Sequence, residues 1–285
     1  MNGIIIVNKE KNCTSRDVVN KISKIYNTKK VGHTGTLDPI AEGILIICLN
    51  KALKVAEFIT SDDKEYIAKL QLGYLTDTLD ITGNKLKESN TKVTKEQVIE
   101  ALNHFKGKIK QQVPIYSAVK VNGKKLYEYA RNNIEVELPI KEVTIYNIEL
   151  LDFNYNKQTL TIKTHVSKGT YIRSLIRDIG LYLNTYATMT SLIRTKQGSI
   201  DIKQSSTIEE IEQNKHKLYS IKDILNLPTI TIEDNNLLNK IKNGSIINLN
   251  TNNDKVLILD KNDNEIAIYI KNNTNYKILK MIDNT

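Results

Sequence analysis

The sequence predicts an α+β protein with a main domain at residues 1–228 and a small all-β domain at residues 229–285. Two observations lead to this class. In the main domain, apolar segments typical of strands alternate with capped amphipathic segments typical of helices. Past Pro228, short apolar runs separated by turns rich in Asn and Asp replace this alternation. A chain of 285 residues is long enough to bury a sizeable core in such a main domain.

The main domain begins with a strand and a capped helix. The apolar run GIIIV predicts a buried strand at residues 3–7. Next, Thr14 and Asp17 have the spacing of a capping box, and apolar residues then recur on one face of a helix. The following elements are a glycine-rich loop at residues 32–43, a buried strand at 44–49 and a short helix at 51–58.

The rest of the main domain follows the same patterns. Tyr66, Ala68 and Leu70 alternate with other residues, which predicts a strand with one covered face. The remaining predicted elements are a capped helix at about 94–105, strands at 115–121, 143–153 and 158–166, and a helix at 171–183. In the small domain, the runs KVLILD, EIAIYI and YKILKMI predict three strands.

Composition favours a cytosolic globular protein. Hydrophobic residues make up 40% and charged residues 26% of the chain, which is ordinary for this class. The longest apolar run, at residues 44–49, is far shorter than the roughly 20 residues of a membrane span, and no signal-peptide pattern precedes it. Two cysteines, Cys13 and Cys48, are too few for a disulfide framework and have no metal-ligand spacing. Cys48 is expected in the core.

The charge of the chain indicates a polyanionic partner for the main domain. The net charge is +9, yet residues 229–285 contain seven lysines and seven acidic residues. The excess therefore belongs to residues 1–228, where a nucleic-acid surface would lie. The alternative is a composition bias, because Lys, Asn and Ile are all abundant, as AT-rich coding alone would produce.

The loop GHTGTLDPIAEG has the features of a loop that grips a ligand. Its glycines allow positive φ and close approach of another chain, and Pro39 biases Asp38 toward an extended conformation that restricts its carboxylate. It lacks the Gly-Lys-Ser/Thr ending of a phosphate-binding P-loop. The ordinary alternative is a simple Asp-Pro turn.

A second informative segment is SKGTYIRSLIRDIG, residues 167–180. Arg173 and Arg177 lie one turn apart on the flank of an apolar helical stripe. Such arginines either cover the rim of the core or reach into a cleft. A nearby Arg keeps a half-buried carboxylate ionised, so Asp38 and Arg173 would make a sensible pair.

Four segments in order carry a family resemblance: GHTGTLDPIAEGILIICL, KEYIAKLQLGYLTDTLDITG, VPIYSAVKVNGKKLYEYAR and SKGTYIRSLIRDIG. Together they resemble the TruB family, the tRNA pseudouridine synthases that modify the T arm, and they cover residues 3–200. The resemblance implies the pseudouridine synthase fold, which is a central mixed, largely antiparallel sheet flanked by helices. The final domain resembles a small PUA domain, an RNA-binding appendage.

The resemblance also implies catalytic roles. Asp38 would be the catalytic aspartate, acting either as nucleophile or as base at the sugar of the target uridine. Tyr66 would stack on the extracted uracil and help to remove the C5 proton. Arg173 would pair with Asp38, and Asp80 would join this charge network. Judged alone, Tyr66 could equally be a core-edge residue and Asp80 a turn former.

Four more residues are expected to contact the substrate. By resemblance, His33 would contact T-loop nucleotides, Leu192 would line the uracil pocket and Lys9 matches a basic position near the site. Arg177 is also expected to bind RNA. His33 could instead bond only to backbone. The implied isomerisation keeps every atom in the substrate, so no cofactor or metal is expected, and the implied partner is the T-arm stem-loop of tRNA, bound by a monomer.

The first motif departs from the family pattern. In NKEKNCTS, Asn8, Glu10 and Asn12 stand where the family usually has Asp, Pro and Gly, and Val113 replaces the first residue of a Pro-Pro pair. Two other functions stay open at this point. One is a pseudouridine synthase for another RNA, and the other is an RNA-binding or tRNA-folding module in which Asp38→Asn would leave the role intact.

Overall fold

A computed structural model describes residues 2–60 and 62–284. In chain order the strands are β1 (Gly3–Lys9), β2 (Val31–His33), β3 (Glu42–Leu49), β4 (Lys64–Leu72), β5 (Tyr74–Thr76), β6 (Lys85–Glu88), β7 (Gly107–Gln112), β8 (Lys120–Val121), β9 (Lys124–Lys125), β10 (Ile140–Asn154), β11 (Thr159–Val166), β12 (Ala187–Gln197), β13 (Ile200–Asp201), β14 (Thr229–Ile232), β15 (Lys255–Asp260), β16 (Glu265–Asn272) and β17 (Asn275–Met281). The α-helices are α1 (Ser15–Ile25), α2 (Ala56–Thr60), α3 (Lys95–His104), α4 (Leu126–Arg131), α5 (Ile172–Tyr182), α6 (Ile208–Glu212), α7 (Ile221–Leu225) and α8 (Asn235–Lys242). Short 3₁₀ helices lie at Asn50–Val55 and Ile202–Gln204.

The chain divides into two compact units. The first unit contains residues 1–39, 44–61 and 203–285, and the second contains residues 40–43 and 62–202. Each unit is thus built from segments that are distant in sequence. The predicted domain boundary at residue 228 lies inside the first unit and stays a prediction.

The second unit is built on a mixed, largely antiparallel sheet, as predicted. Its strands follow the order β12-β4-β11-β10-β7, and all of these neighbours pair antiparallel. The parallel pairing comes from the first two residues of β3, which lie beside Ile193 and Arg194 of β12. Along β4 every second residue from Lys64 to Leu72 is buried, so the predicted alternation is confirmed.

Helix α5 covers one face of this sheet and carries Arg173 in its first turn. It packs against β12, β4 and β7 through the buried side chains of Leu175, Ile176 and Ile179. Helix α3 packs on β10 and also contacts α5. Both helices match the predicted segments, and the capping box of α3 forms between Thr94 and Gln97.

In the first unit, the N-terminal elements confirm the sequence prediction. β1 is a neighbour of β3, and β2 pairs antiparallel with β3. Thr14 and Asp17 form the predicted capping box of α1, and the Thr14 hydroxyl and backbone hold the pKa of the Asp17 carboxyl below its usual value. Cys48 is a core residue of β3, and burial raises the pKa of its thiol to about 12.

The C-terminal residues form a small sheet with its own core. The order is β14-β15-β16-β17, in which only β14 and β15 are parallel. Val256, Ile258 and Tyr269 belong to an apolar cluster drawn entirely from this segment. The three predicted strands are confirmed, and α8 is an additional helix that short apolar runs did not reveal.

The strand predicted at residues 115–121 is wrong except for its last two residues. Pro114 has no N–H to donate to a sheet, and the Ser117 N–H bonds to the Ile115 carbonyl at 2.9 Å in a tight turn. The apolar residues of this segment have the spacing of a strand, and that spacing alone does not reveal a turn. The actual strand precedes them as β7, where two lysines and two glutamines mask the pattern.

Asparagine takes many of the backbone positions that usually need glycine. Nine of the twelve non-glycine residues with positive φ in the described ranges are asparagines. Asn27, Asn184 and Asn214 each directly follow the C-cap of a helix. Asn tolerates the left-handed conformation better than other residues with a β-carbon, so a chain with only 12 glycines can still end its helices.

No helix within residues 2–60 and 62–284 combines the length and the apolar content that crossing a membrane requires.

The close approach of β3 and β12 generates a stability prediction. Gly43 has a φ of +97°, and a β-carbon there would lie 2.3 Å from the Arg194 carbonyl oxygen. We expect Gly43→Ala to lower the free energy of unfolding by more than about 3 kcal/mol, because it adds a backbone clash to the conformational cost. Urea unfolding followed by circular dichroism measures this loss.

Gly107→Ala is the matched control for this experiment. Gly107 has a nearly equal φ of +95°, but a β-carbon at this position would have no neighbouring atom within 4 Å. It should therefore lose only the conformational cost of about 1–2 kcal/mol. Equal losses in the two variants would contradict the close approach of the strands.

Candidate active site

Asp38 lies in a loop of the first unit whose backbone is fastened on its N-terminal side by Ser15. The Leu37 N–H donates to the Ser15 Oγ at 2.9 Å, and the same hydroxyl donates to the Leu37 carbonyl at 3.1 Å. Ser15 is the first residue of α1 and is 2% exposed, while Leu37 is 3% exposed. One buried hydroxyl thus satisfies both polar groups of the residue before Asp38.

The C-terminal side of Asp38 is fastened through the Pro39 carbonyl. This oxygen accepts the Asn12 N–H at 2.9 Å and the Lys9 Nζ at 3.4 Å. Lys9 is fully buried and its ammonium also donates to the Glu10 carbonyl at 2.7 Å. The half-buried Asp38 carboxylate therefore projects from a backbone held on both sides.

Asn12 explains how the unusual first motif still holds the loop. Its φ is +63°, a left-handed conformation in which asparagine is the best replacement for glycine. Asn12 occupies the place where the resemblance expects Gly, and both residue types can adopt this backbone conformation. Its N–H reaches Pro39 because the chain turns at this point.

The other two predicted residues of the first unit are Lys9 and His33. The Lys9 ammonium donates to two backbone carbonyls in the interior. This geometry indicates that Lys9 supports the backbone of the loop. His33 is on β2 and is partly exposed, and its Nδ1 accepts the Gly35 N–H at 3.3 Å. That contact is the backbone hydrogen bond expected if His33 has an ordinary structural role.

In the second unit, Tyr66 and Leu192 share one face of the sheet. Tyr66 on β4 lies directly opposite Thr164 on β11 and Arg194 on β12. Leu192 lies opposite Ala68, one pair further along the same face. Tyr66 is 7% exposed and Leu192 is 5% exposed. An aromatic ring and an apolar side chain therefore stand side by side on neighbouring strands.

Arg173 is held in the first turn of α5 by two carbonyl groups. Its two terminal nitrogens donate to the Thr78 carbonyl at 2.9 Å and to the Tyr116 carbonyl at 3.0 Å. The side chain is buried, with 6% exposed. These two bonds fix the plane of the guanidinium, and Tyr116 belongs to the segment for which the sequence pattern wrongly predicts a strand.

Asp80 meets Arg173 indirectly. Its Oδ1 accepts hydrogen bonds from the Thr78 hydroxyl at 2.8 Å, the Thr82 N–H at 2.9 Å and the Thr82 hydroxyl at 2.6 Å. The Thr78 carbonyl accepts from the Arg173 guanidinium, so Thr78 links Asp80 to Arg173. That Asp80 joins the charge network of Asp38 and Arg173 stays a prediction.

Leu79 marks backbone strain beside this connection. Its φ is +65°, which is an outlier for a bulky residue. The Leu79 N–H bonds to the Thr76 carbonyl at 3.2 Å, and the Leu79 carbonyl accepts the Met189 N–H at 3.1 Å. These bonds maintain the turn that aims the Thr78 carbonyl at Arg173. Strain of this kind concentrates at functional sites.

Arg177 is occupied by neighbours on its own side of α5. Two of its nitrogens contact Asp178 Oδ1 at 2.8 and 2.7 Å, and a third donates to Gln112 at 3.3 Å. Burial raises the pKa of the Asp178 carboxyl, and the adjacent guanidinium partly opposes that rise. An RNA contact for Arg177 stays a prediction.

Sequence reasoning missed Ser15, Thr78 and Leu79. Ser15 follows the N-cap residue Thr14, and that position alone does not reveal a hydroxyl that reaches across to Leu37. Thr78 acts through its backbone carbonyl, which no residue type signals. Among the residues that the structure describes, no three His, Cys, Asp or Glu side chains are grouped so as to hold a metal ion.

Two family models match consecutive parts of the chain. Residues 23–172 match the N-terminal domain of the TruB family of pseudouridylate synthases. Residues 173–226 match the C-terminal domain of tRNA pseudouridylate synthase B. Together they contain the candidate residues Asp38, Tyr66 and Arg173.

Curated relatives and solved structures agree with these matches. A Fusobacterium nucleatum protein called tRNA pseudouridine synthase B is 52% identical to this chain, over 71% of this chain and 70% of that protein. A Clostridium tetani protein of the same name is 43% identical, over 99% of this chain and 100% of that protein. Among solved structures, a Cbf5-Nop10-Gar1 complex has a similar fold, with a TM-score of 0.73 and 24% identity over 99% of this chain and 85% of that chain. The predicted fold class is thereby confirmed. The chain belongs to the TruB family of pseudouridylate synthases.

Proposed function

We propose that this protein isomerises one uridine in the T loop of tRNA, at position 55, to pseudouridine. The observation that carries the proposal is the carboxylate of Asp38, presented by a loop whose backbone is bonded on both sides of that residue. Membership of the TruB family and the relatives called tRNA pseudouridine synthase B support the reaction and the substrate class.

The target base must first leave the folded RNA loop. Extracting a base costs a few kcal/mol, and stacking on an aromatic side chain returns about 1–3 kcal/mol. Tyr66 supplies the ring for that stacking, and Leu192 on the same sheet face lines the pocket. Because both residues sit on strands, the receiving surface is in place before RNA arrives.

Asp38 then breaks the bond between C1′ of the ribose and N1 of uracil. Either its carboxylate attacks C1′ or it removes the C2′ proton, and in both routes the bonding electron pair leaves with N1. The detached uracil turns so that C5 bonds to C1′, while the Asp38 carboxylate leaves C1′ or returns the proton to C2′. The proton on C5 is then removed with help from Tyr66, and N1 gains a proton. The product has every atom of the substrate, so no oxidant, cofactor or metal is needed.

Arg173 is proposed to pair with Asp38. The Thr78 and Tyr116 carbonyls, which hold the guanidinium plane, support this role because they leave its direction well defined. Asp80 supports Arg173 by fixing Thr78.

RNA binding uses the main-domain charge. The +9 net charge with a neutral C-terminal segment favours phosphate contacts in residues 1–228. We propose that His33 and Arg177 contact the T arm, and that Lys9 acts mainly by supporting the catalytic loop. The C-terminal sheet is proposed as a PUA-like RNA-binding domain. The protein would act in the cytoplasm as a monomer, without a protein partner.

The first test replaces the catalytic carboxylate. Asp38→Asn should abolish pseudouridine formation in an unmodified tRNA transcript, because an amide can neither attack C1′ nor accept the C2′ proton. Tight tRNA binding should remain. Site-resolved mapping of pseudouridine, with no cofactor added, measures the product, and filter binding measures affinity.

Asp152→Asn is the matched control, since Asp152 is an exposed carboxylate on β10. It should modify the same single T-loop uridine at the wild-type rate. If the wild-type protein modified only a different RNA, that RNA would be its substrate. Tight binding without modification by the wild-type protein would instead assign it to RNA binding or folding.

The second test probes the left-handed backbone at Asn12. Asn12→Ala should lower the free energy of unfolding by about 1 kcal/mol, because alanine disfavours a φ of +63°. Its single-turnover rate should fall severalfold, because a changed backbone conformation at residue 12 would move the N–H that bonds to the Pro39 carbonyl beside Asp38. Urea unfolding and rapid-quench kinetics provide the two measurements.

Asn12→Gly separates backbone conformation from the side chain. Glycine adopts the same φ freely, so this variant should keep the wild-type rate and lie within about 0.5 kcal/mol of wild-type stability. If Asn12→Gly loses as much activity as Asn12→Ala, the Asn12 side chain and not its backbone would be what the site requires.

A further inference from the structure

Arg194 is a buried arginine directly beside the proposed stacking residue. It is 1% exposed and is among the largest fully buried side chains in the described residues. The strand register places it opposite Tyr66, so both side chains leave the sheet on the same face. None of the reaction steps proposed for Asp38, Tyr66 and Arg173 uses it.

Its position on that face is tightly constrained. On one side, the Arg194 backbone approaches Gly43 so closely that no side chain fits there. On the other, the Thr195 hydroxyl bonds to the Glu65 carboxylate at 2.8 Å and to its carbonyl at 3.3 Å. The ladder slips by one residue between Arg194 and Lys196, which pins the register at this point.

A second cation, Lys64, lies on the same face. It precedes Tyr66 by two residues, is 8% exposed and bonds to the Asp62 carbonyl. The charged groups acting on it are Asp62, Asp63, Lys168 and Arg194. Burial, and next the charge of Arg194, lower the pKa of the Lys64 ammonium to about 8.

Burying such cations has an energetic cost that needs a reason. Removing an ammonium or guanidinium from water costs several kcal/mol, and apolar residues of similar volume often give equal stability. Two like charges close together add to that cost. An arrangement of this kind is favoured where negative charge develops during a reaction.

We propose that Arg194 and Lys64 stabilise the negative charge that uracil carries between cleavage and reattachment. This inference rests on the proposed function. When the C1′–N1 bond breaks, its electron pair leaves with N1, and the charge spreads over the ring that stacks on Tyr66. The charge is neutralised when C5 bonds to C1′, and the later loss of the C5 proton is balanced by protonation of N1. The cations act across the Tyr66 face, where the low dielectric strengthens their field.

The test combines a charge-removing variant with a better leaving group. Arg194→Met keeps most of the side-chain volume and removes the charge. Its single-turnover rate on a T-arm RNA should fall at least about tenfold, with an unchanged Kd for the RNA. On the same RNA with 4-thiouridine at the target, the loss of rate should be much smaller, because the 4-thiouracil anion is intrinsically more stable. 4-Thiouridine still carries the C5 proton that the reaction must remove.

Lys196→Met is the matched control. It removes the same charge from an exposed position on the same strand, and both substrates should react at the wild-type rate. Lys64→Met should repeat the substrate-dependent loss of Arg194→Met to a smaller extent. If Arg194→Met does not fold, comparing the rates of Lys64→Met on the two substrates tests the proposal.

Three results would overturn the inference. These are a rate for Arg194→Met within about twofold of wild type, equal losses on the two substrates, or a Kd weakened as much as the rate. The last result would assign the cations to RNA binding. A wild-type protein that forms no pseudouridine would instead refute the proposed function, so the two failures are distinguishable.

Discussion

The hydrogen bonds on either side of Asp38 are the constraint on which the proposed chemistry depends. A carboxylate that attacks or deprotonates a sugar must point in one direction before the substrate arrives, because misplacement by about 1 Å can cost a hundredfold in rate. Ser15 holds Leu37, and Asn12 with Lys9 holds Pro39. The N-terminal strand and the start of α1 therefore act as the support for a loop that follows them by two dozen residues.

The same principle applies to the second unit, where rigid elements hold the other reactive groups. Tyr66 stands on a strand with neighbours on both sides, and Arg173 is fixed by two carbonyls from irregular segments. One of those segments contains the strained Leu79. Strain and buried cations both lower stability, and both lie beside groups with proposed roles in the reaction. The distribution is typical of a protein that gives up stability at its active site.

Local patterns in the sequence predicted much of this fold, since capping boxes, alternation and apolar stripes act over a few residues. Asp38 and Tyr66 could be chosen as candidate site residues because the four segments that resemble the TruB family occur together in the chain. The turn at Ile115 was missed because apolar periodicity does not register a missing N–H at Pro114. The burial of Lys9, the indirect link of Asp80 and the position of Arg194 opposite Tyr66 depend on register and on long-range packing, which no local pattern contains.

Site-resolved hydrogen exchange at the Leu37 and Asn12 amides tests the central claim most directly. Both N–H groups are hydrogen-bonded within the loop support, so in the free protein they should exchange as slowly as the neighbouring strands. Adding a T-arm RNA should change them little, because the loop is already organised. Fast exchange in the free protein, with protection only after RNA is added, would show that the substrate organises the loop and would contradict the account.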